Sequence, residues 1–467
     1  MFSSGSGTVD LGEDVTTIGL KFDTTGYTIA SAASHVLTLS PNTAGNVVTV
    51  INSTDTATIS AAIAGTTGLT KAGDGTLVLS GTNTFGGDVT VSGGTVTVTS
   101  DAALGTDGNG IALNTGTFKT ATNLTIGSGR TLSGGGTIDV ASGATLTFTG
   151  PVNAGALNLP SSGTVALSNA SVAFTSATVA AGATLNITGS VNSGARTTFY
   201  GDGNVILAGD NSSYGSGFSM SKGTGSYGPT VTMTSATSLG GAQLFLNAGT
   251  LNAASAMTGA NAIANTVSFG GNATLMGADM EFTNAWTFFS ATQKTLTVQN
   301  NVTFKTGIVA GASGVSDKLI KAGSGTLTLT VANSYVGGTA VIGGKLVSQS
   351  GAVLGTGDVT VTPTSTANST LELHDNASIA STANVILSSL NGFYGVIDME
   401  FIGTIQVNTL QVNGTYLAPG LYSATNEPGF FTGTGSMQVL AVPEPSTIGL
   451  LALAGGGILL RRRKLVA

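Results

Sequence analysis

Alternation of threonine with an aliphatic or aromatic residue is the commonest pattern along this chain. It occurs at residues 95–99 (TVTVT), 145–149 (TLTFT) and 326–330 (TLTLT). A period of two places successive side chains on opposite faces of a β-strand, so the apolar positions face a core. Glycine clusters such as residues 134–136 lie between these strands and supply the positive φ angles of tight turns. Because no stretch before residue 441 has sustained helical spacing, the pattern predicts an all-β body.

One longer segment occurs twice, 250 residues apart: LTKAGDGTLVLSGTNTF at 69–85 and LIKAGSGTLTLTVANSY at 319–335. The identical aligned positions include Lys71/Lys321, Gly73/Gly323, Gly75/Gly325, Leu77/Leu327, Leu79/Leu329 and Asn83/Asn333. A weaker copy lies between them and keeps Gly201, Gly203, Leu207, Asn211 and Tyr214. The chain therefore contains three repeat modules, near residues 68–108, 201–240 and 319–358. Repeats of this kind predict a solenoid built from similar coils.

These modules resemble the autotransporter-associated β-strand repeat, in which a lysine, a Gly-x-Gly turn, alternating leucines, an asparagine followed by an aromatic residue, and paired glycines occur in order. The Lys71 and Lys321 copies match this order, whereas the middle copy lacks the lysine. Asp88 also stands where Gly338 completes a glycine pair in the third module. The resemblance covers roughly a fifth of the chain. It implies a right-handed parallel β-helix like those of secreted passenger proteins.

The pattern divides the chain into three parts. Residues 1–395 form the predicted β-helix body, in which Leu77, Leu79 and their equivalents line up as aliphatic ladders. From about Val396 aromatic residues and Asn-Gly and Pro-Gly turns become frequent, so residues 396–440 are interpreted as a C-terminal β cap with a closing strand at 431–439. A cap is needed because an open coil edge would pair with other chains. Residues 441–467 form a separate tail.

The tail has a short proline-containing motif, an uncharged apolar run to Leu460 and a cationic end. The motif contains Pro443, Glu444 and Pro445, and the cationic end is Arg461, Arg462, Arg463 and Lys464. This order resembles the PEP-CTERM sorting signal. The resemblance implies recognition and processing by an exosortase-type membrane enzyme, with the Pro-Glu-Pro residues carrying recognition.

Hydropathy predicts a short transmembrane-type helix for this tail. About 16 residues at 1.5 Å each span some 24 Å, so insertion requires the terminal arginines to reach the headgroups. The cationic end is expected to remain cytoplasmic and to leave the body outside. A permanent anchor is the alternative, but the glycines at 455–457 make a poor permanent helix, and an amphipathic surface helix does not fit residues that are apolar on every side.

Charge and cysteine content exclude several function classes. The formal net charge is −7, and because residues 461–464 contribute +4, residues 1–460 carry −11. A body with this negative charge lacks the positive surface that binds nucleic acid. The absence of cysteine excludes disulfides, thiolate metal sites and cysteine nucleophiles. Residues 1–7 contain neither a basic region nor an apolar run, so we expect the signal peptide of an exported protein to lie upstream of Met1.

Few residues could support catalysis. The two histidines are His35 and His374, and Glu372, on the same strand face as His374 and near Asp375, could contact a cation. The acidic cluster of Asp10, Glu13 and Asp14 is a second candidate, although both groups fit solvated β surfaces or caps. Asp74 and Asp202 precede glycine in equivalent turns, and the turn itself explains them. We therefore predict a non-enzyme with no catalytic, cofactor or metal site.

The combined pattern predicts an exported cell-surface or extracellular-matrix structural protein, sorted through its tail and in contact with the membrane there. The alternative is an adhesin or a polysaccharide-binding β-helix protein, with extracellular polysaccharide as its partner. A polysaccharide-degrading enzyme is a weaker alternative, since parallel β-helices also carry lyases and glycosidases. Fold analogy alone supports that last possibility.

Overall fold

A computed structural model describes residues 1–2, 5–40, 46–289, 293–311 and 317–440. The chain winds into an all-β solenoid of about 18 turns, which confirms the predicted parallel β-helix. Within the described residues, the helical segments are three short 3-10 turns at Asp101–Leu104, Ala236–Leu239 and Gly259–Asn261. The helix predicted for residues 441–467 lies outside the described residues.

Long parallel sheets run along the axis of the solenoid. In the described part of the chain, the largest contains Gly7–Asp10, Gly19–Phe22, Tyr27–Ala30, Val47–Val50, Thr56–Ile59, Leu69–Ala72, Thr76–Leu79, Val89–Val91, Thr95–Val98, Ile111–Thr120, Leu132–Val140, Val152–Leu159, Val172–Ala173, Ser176–Val179, Thr197–Tyr200, Phe218–Met220, Leu244–Leu246, Val267–Phe269, Trp286–Phe288 and Ile308–Val309. The second contains Leu124–Ile126, Thr145–Phe148, Thr164–Leu167, Thr184–Ile187, Asn204–Leu207, Thr230–Met233, Thr250–Ala253, Ala273–Gly277, Gln293–Val298, Lys318–Ala322, Thr339–Val341, Val359–Val361, Asn384–Leu387, Thr409–Val412 and Thr415–Tyr416.

Shorter sheets complete the two ends. The N-terminal one contains Val15–Thr17, Val36–Leu39 and Ala62–Gly65. Towards the C-terminus, one contains Met280–Phe282, Asn301–Phe304, Thr326–Leu329, Lys345–Ser348, Ser369–Leu373, Ser389–Leu390, Phe393–Met399 and Phe431–Gly433. The last contains Thr404–Val407, Gly420–Tyr422 and Ser436–Val439.

Strand pairing changes near the C-terminus. Among the described strands, pairing is parallel until Ser389–Leu390, which turns back antiparallel on Phe393–Met399. Two further antiparallel pairs follow, Thr409–Val412 with Thr415–Tyr416 and Gly420–Tyr422 with Ser436–Val439. Hairpins of this kind cover a coil end that would otherwise expose unpaired backbone groups.

The closing strand expected at residues 431–439 is two strands in different sheets. Phe431–Gly433 pairs with Phe393–Met399, and Ser436–Val439 pairs with Thr404–Val407. The chain turns a corner between them at Gly433, whose φ of 80° is accessible to glycine at little cost. Alternating apolar residues on both sides of this corner explain why the pattern looked continuous.

Alternation places the aliphatic residues in one continuous core. Leu77 and Leu79 are fully buried and lie beside Val96 and Val98 of the next coil, whereas Thr76 faces outward. Each fully buried aliphatic side chain contributes about 1.5–3 kcal/mol before entropy is counted. Coil-to-coil repetition of these contacts stabilises the solenoid through many nearest-neighbour interactions.

Candidate functional sites

The lysine of the repeat is a buried link between coils. Nζ of Lys71 donates to the carbonyl oxygens of Ala72 at 2.8 Å and Gly73 at 2.7 Å, and to that of Gly93, one coil further on, at 3.2 Å. Desolvation by burial lowers the pKa of Lys71 to about 8, and the charge of nearby Asp74 opposes this shift. The ammonium group is therefore used to bind turn carbonyls inside the fold.

Lys321 repeats the same arrangement. Its Nζ donates to the carbonyl oxygens of Ala322 at 3.0 Å, Gly323 at 2.9 Å and Gly343 at 2.8 Å. Burial lowers its pKa to about 8 as well. Two modules 250 residues apart thus use a lysine for one structural purpose, which argues against a catalytic role for it.

The asparagine of the repeat bridges three coils in all three modules. Oδ1 of Asn83 accepts the N–H of Ile63 at 2.8 Å, and its Nδ2 donates to the carbonyl of Ala103 at 2.6 Å. At Asn211, Oδ1 accepts a backbone N–H at 2.7 Å and Nδ2 donates to a backbone carbonyl at 2.7 Å. At Asn333, the same two bonds measure 2.9 Å and 2.7 Å. The middle copy, which lacks the lysine, therefore keeps this hydrogen-bonding function.

Arg130 is a buried structural residue that the sequence analysis did not identify. Its guanidinium donates to Oδ1 of Asp101 at 2.8 Å and to backbone carbonyl oxygens of residues 101, 104, 105, 106 and 109. It is the second residue of the segment GRTL at 129–132, and the similar segments GATL at 143–146 and 182–185 have Ala144 and Ala183 at that position. The sequence signal that could have identified Arg130 is a charged residue at a position where the similar segments have a buried alanine.

The structure brings Glu372 and His374 together, as their positions on one strand face predict. Oε1 of Glu372 lies 2.6 Å from Nε2 of His374, while its Oε2 accepts a hydrogen bond from Nζ of Lys345 at 2.6 Å. Desolvation raises the pKa of Glu372, but hydrogen bonds from Lys345 and His374 and their charges outweigh it, so the net shift is downward. Both carboxylate oxygens already have partners.

Asp375 does not join this cluster. Its carboxylate accepts the backbone N–H groups of Gly351 at 3.0 Å and Ala377 at 2.9 Å, which orients it towards the turn. Within the described residues, no group of three or more histidine, aspartate or glutamate side chains could hold a metal ion. The proposed cation contact at Glu372 and His374 is therefore not supported by a complete ligand set.

The N-terminal acidic residues contact the backbone of the following coil. Oδ1 of Asp10 accepts the N–H of Ala32 at 2.8 Å, and Oδ1 of Asp14 accepts that of Val36 at 2.9 Å. Nδ1 of His35 lies 3.5 Å from the same oxygen of Asp14. Asp10 and Asp14 therefore accept hydrogen bonds that link neighbouring coils at the start of the solenoid.

Two family models match this chain, one for the repeat modules and one for the tail. A family model described as Passenger-associated-transport-repeat matches residues 69–98 and 319–347. A second, described as PEP-CTERM protein-sorting motif, matches residues 441–464. The chain carries passenger-associated-transport repeats and a PEP-CTERM sorting motif. The matched PEP-CTERM motif contains Pro443, Glu444, Pro445 and the cationic end, all of which lie outside the described residues.

One similar curated protein is the adhesin BmaC autotransporter of Brucella suis biovar 1 (strain 1330). It is 41% identical over 81 residues, which are 17% of this chain and 2% of that adhesin. No solved structure matches the chain. The described residues contain no helix long and apolar enough to cross a membrane. The PEP-CTERM motif and the adhesin relative indicate an exported cell-surface protein.

Proposed function

We propose that this chain is a structural protein of the cell surface or extracellular matrix, sorted through its PEP-CTERM motif by an exosortase-type membrane enzyme. The observation that supports it best is the match of that motif to residues 441–464, directly after the capped solenoid. The body, cap and tail keep the boundaries 1–395, 396–440 and 441–467 in this proposal.

The hydrogen bonds of charged side chains in the body support a structural role. Lys71, Lys321 and Arg130 are buried, and their donors are used to link coils. Asp10 and Asp14 accept backbone N–H groups in the same way. Residues that could have served catalysis are thus engaged in holding the solenoid together, which agrees with a non-enzymatic function.

The tail residues have distinct proposed roles. Pro443, Glu444 and Pro445 provide the sequence that the processing enzyme recognises. Arg461, Arg462, Arg463 and Lys464 hold the end of the tail at the cytoplasmic face, because cationic side chains are retained there during insertion.

Two variants of the full chain test these roles in a host with an exosortase and in a matched strain without it. Replacing Arg461 to Lys464 with glutamine should weaken membrane retention, whereas replacing Pro443 and Glu444 with alanine should block processing and leave insertion intact. Fractionation and the apparent mass of the chain report both outcomes. Lys318→Gln, a neutralisation in the body, is the control and should behave like the parent. If both tail variants match the parent in location and mass, the proposal is wrong.

An adhesive or polysaccharide-binding function is the second candidate. The supporting observations are the relative named as an adhesin and the long exposed sheet faces of the solenoid. Extended solenoids present large binding surfaces of this kind. Attachment of cells to coated surfaces, with and without the chain, tests this function.

A further inference from the structure

An exposed tyrosine stands beside a shallow groove on the second sheet. The groove has a volume of about 330 Å³ and is lined by Tyr227, Gly249, Thr250, Asn272, Ala273, Thr274 and Thr297. We call it the Tyr227 groove. None of these lining side chains is charged, and Tyr227 is 83% exposed. An exposed aromatic residue beside hydroxyl and amide groups combines an apolar surface with directional hydrogen bonding.

The loop that carries Tyr227 is held in place from both sides. The backbone N–H groups of Ser226, Tyr227 and Gly228 donate to the carboxylate of Asp202 at 2.8, 2.9 and 2.9 Å. These three bonds lower the pKa of Asp202. On the other side, the N–H of Thr250 donates to the carbonyl oxygen of Pro229 at 2.9 Å. The backbone of this loop is therefore held in place before any ligand arrives, which reduces the entropy lost on binding.

Three threonine hydroxyls form the floor of the groove. Thr250, Thr274 and Thr297 are direct neighbours on successive strands, so their Cα atoms are spaced by about 4.8 Å. Within the described residues, none of their Oγ1 atoms has a protein hydrogen-bond partner. Asn272 uses Oδ1 to accept the N–H of Thr295 at 2.9 Å, which leaves its Nδ2 for a ligand. The groove thus offers free donors and acceptors in a row.

The row of polar side chains continues well beyond the groove, with one asparagine among the threonines. The same outward ladder runs through eight successive strands at Thr145, Thr164, Thr184, Asn204, Thr230, Thr250, Thr274 and Thr297. Because the row is continuous from coil to coil and uncharged, it favours a linear neutral polymer lying along the solenoid over a single sugar or a polyanion. Hydroxyl groups of a polysaccharide can both donate to and accept from threonine.

We propose that the Tyr227 groove and the threonine row that continues from it bind a neutral linear polysaccharide, with Tyr227 contacting a sugar face and the threonine hydroxyls contacting its hydroxyl groups. The proposal rests on the proposed function only in that the body must reach the cell exterior to meet such a polymer.

Binding is measured with the purified full chain, using mixed-linkage β-glucan as the neutral probe and carboxymethyl cellulose as its anionic counterpart. Affinity electrophoresis and calorimetry should show binding to the neutral probe. Tyr227→Ala should weaken it by about tenfold or more, because the aromatic contact is lost. Thr274→Val should weaken it by about threefold to tenfold, and Thr274→Ser should restore it, because serine keeps the hydroxyl.

Tyr416→Ala is the matched control, because Tyr416 is 69% exposed in the C-terminal region away from the groove. It should bind like the parent, and circular dichroism should show that all variants are folded. Absence of binding, binding only to the anionic probe, or equal binding by Tyr227→Ala and the parent would overturn the proposal. Surface localisation of the parent is scored separately: a parent chain that binds glucan but never leaves the cell contradicts the proposed function and not this site.

Discussion

Arg130 and Asp101 form an ion pair between neighbouring coils, with Nε of Arg130 2.8 Å from Oδ1 of Asp101. The arginine side chain is only 2% exposed, whereas that of Asp101 is 34% exposed. Carbonyl oxygens of the intervening turn accept the remaining guanidinium donors. A planar group with five donors can serve several fixed acceptors at once, which a lysine ammonium cannot.

We expect Arg130→Met to lower the free energy of unfolding by about 3 kcal/mol, because it removes the cationic partner of the Asp101 carboxylate and the guanidinium donors of several backbone carbonyl groups. Arg130→Lys should recover part of this loss, since it keeps the charge but reaches fewer acceptors. Urea unfolding followed by circular dichroism measures both effects.

Arg196→Met is the control for this prediction. Arg196 lies over the ring of Phe245 at 3.4 Å and contributes a surface cation–π contact of about 0.5–1 kcal/mol. If Arg130→Met costs no more than Arg196→Met, the carbonyl contacts of Arg130 do not stabilise the fold.

Removal of the repeat lysine should also destabilise the solenoid. Lys71→Met and Lys321→Met each leave three turn carbonyls without the ammonium donor, and we expect each to lower the free energy of unfolding by about 2 kcal/mol. Similar losses at the two sites are expected because their contacts are the same. Lys318→Met changes a partly exposed lysine next in the chain to this repeat and should cost less than about 0.5 kcal/mol.

The same lysines predict a pH dependence. Their pKa is about 8 in the folded protein against an ordinary value of 10.5, so the unfolded chain holds more protons between these values. The free energy of unfolding of the parent should therefore rise from pH 8 to pH 10 relative to that of the Lys71→Met, Lys321→Met double variant. A constant difference between the two proteins over this range would show that the lysines do not titrate as proposed.

Much of the fold could be predicted because one local pattern is repeated. Leu77 alternates with Thr76 and Val78, and a period of two is sufficient to assign the buried face. The asparagine and lysine positions stood out because they recur, although recurrence alone did not reveal which atoms they contact. The turn at Gly433 was missed because the residues around it keep the alternation on both sides.

Contacts made by residues that do not recur along the chain were harder to predict from the sequence. Arg130 occurs once, and apart from the Asp101 carboxylate its acceptors are backbone carbonyls of an earlier coil, which leave no mark on residue types. Lys345 reaches Glu372 across 27 positions, a separation set by the length of one coil. The anchoring of Tyr227 by Asp202 depends in the same way on a loop between coils. Coil length and loop path decide these contacts, and neither is fixed by periodicity.

Loss of an asparagine bridge should weaken the middle module as strongly as the outer ones. Asn211→Asp replaces the donor to the carbonyl of Ser238 with a carboxylate oxygen and places a charge at a buried position. We expect a loss of about 2–3 kcal/mol in the free energy of unfolding. Asn192→Asp, at an exposed position of the same region, should cost less than about 0.5 kcal/mol. Equal losses for the two variants would contradict the bridging role.

A further prediction concerns the cluster of Lys345, Glu372 and His374. Because both oxygens of Glu372 are already engaged and the lysine and histidine are about a third or more exposed, we expect this cluster to be a solvated ion-pair surface. Glu372→Gln should change the free energy of unfolding by less than about 1 kcal/mol. Divalent cations should shift the unfolding midpoint of the parent and of Glu372→Gln equally.

Catalysis is tested on the same proteins. The purified chain is incubated with Ca²⁺ or Mg²⁺ and with neutral and acidic polysaccharides, and reducing ends or unsaturated products are measured. We expect no product from the parent, because the candidate acids at Asp10, Asp14 and Glu372 are committed to backbone groups or to ion pairs. Product that disappears in Glu372→Gln or in an Asp10→Asn, Asp14→Asn variant would show that the solenoid is an enzyme. Binding of the neutral polymer without turnover would instead agree with the Tyr227 groove.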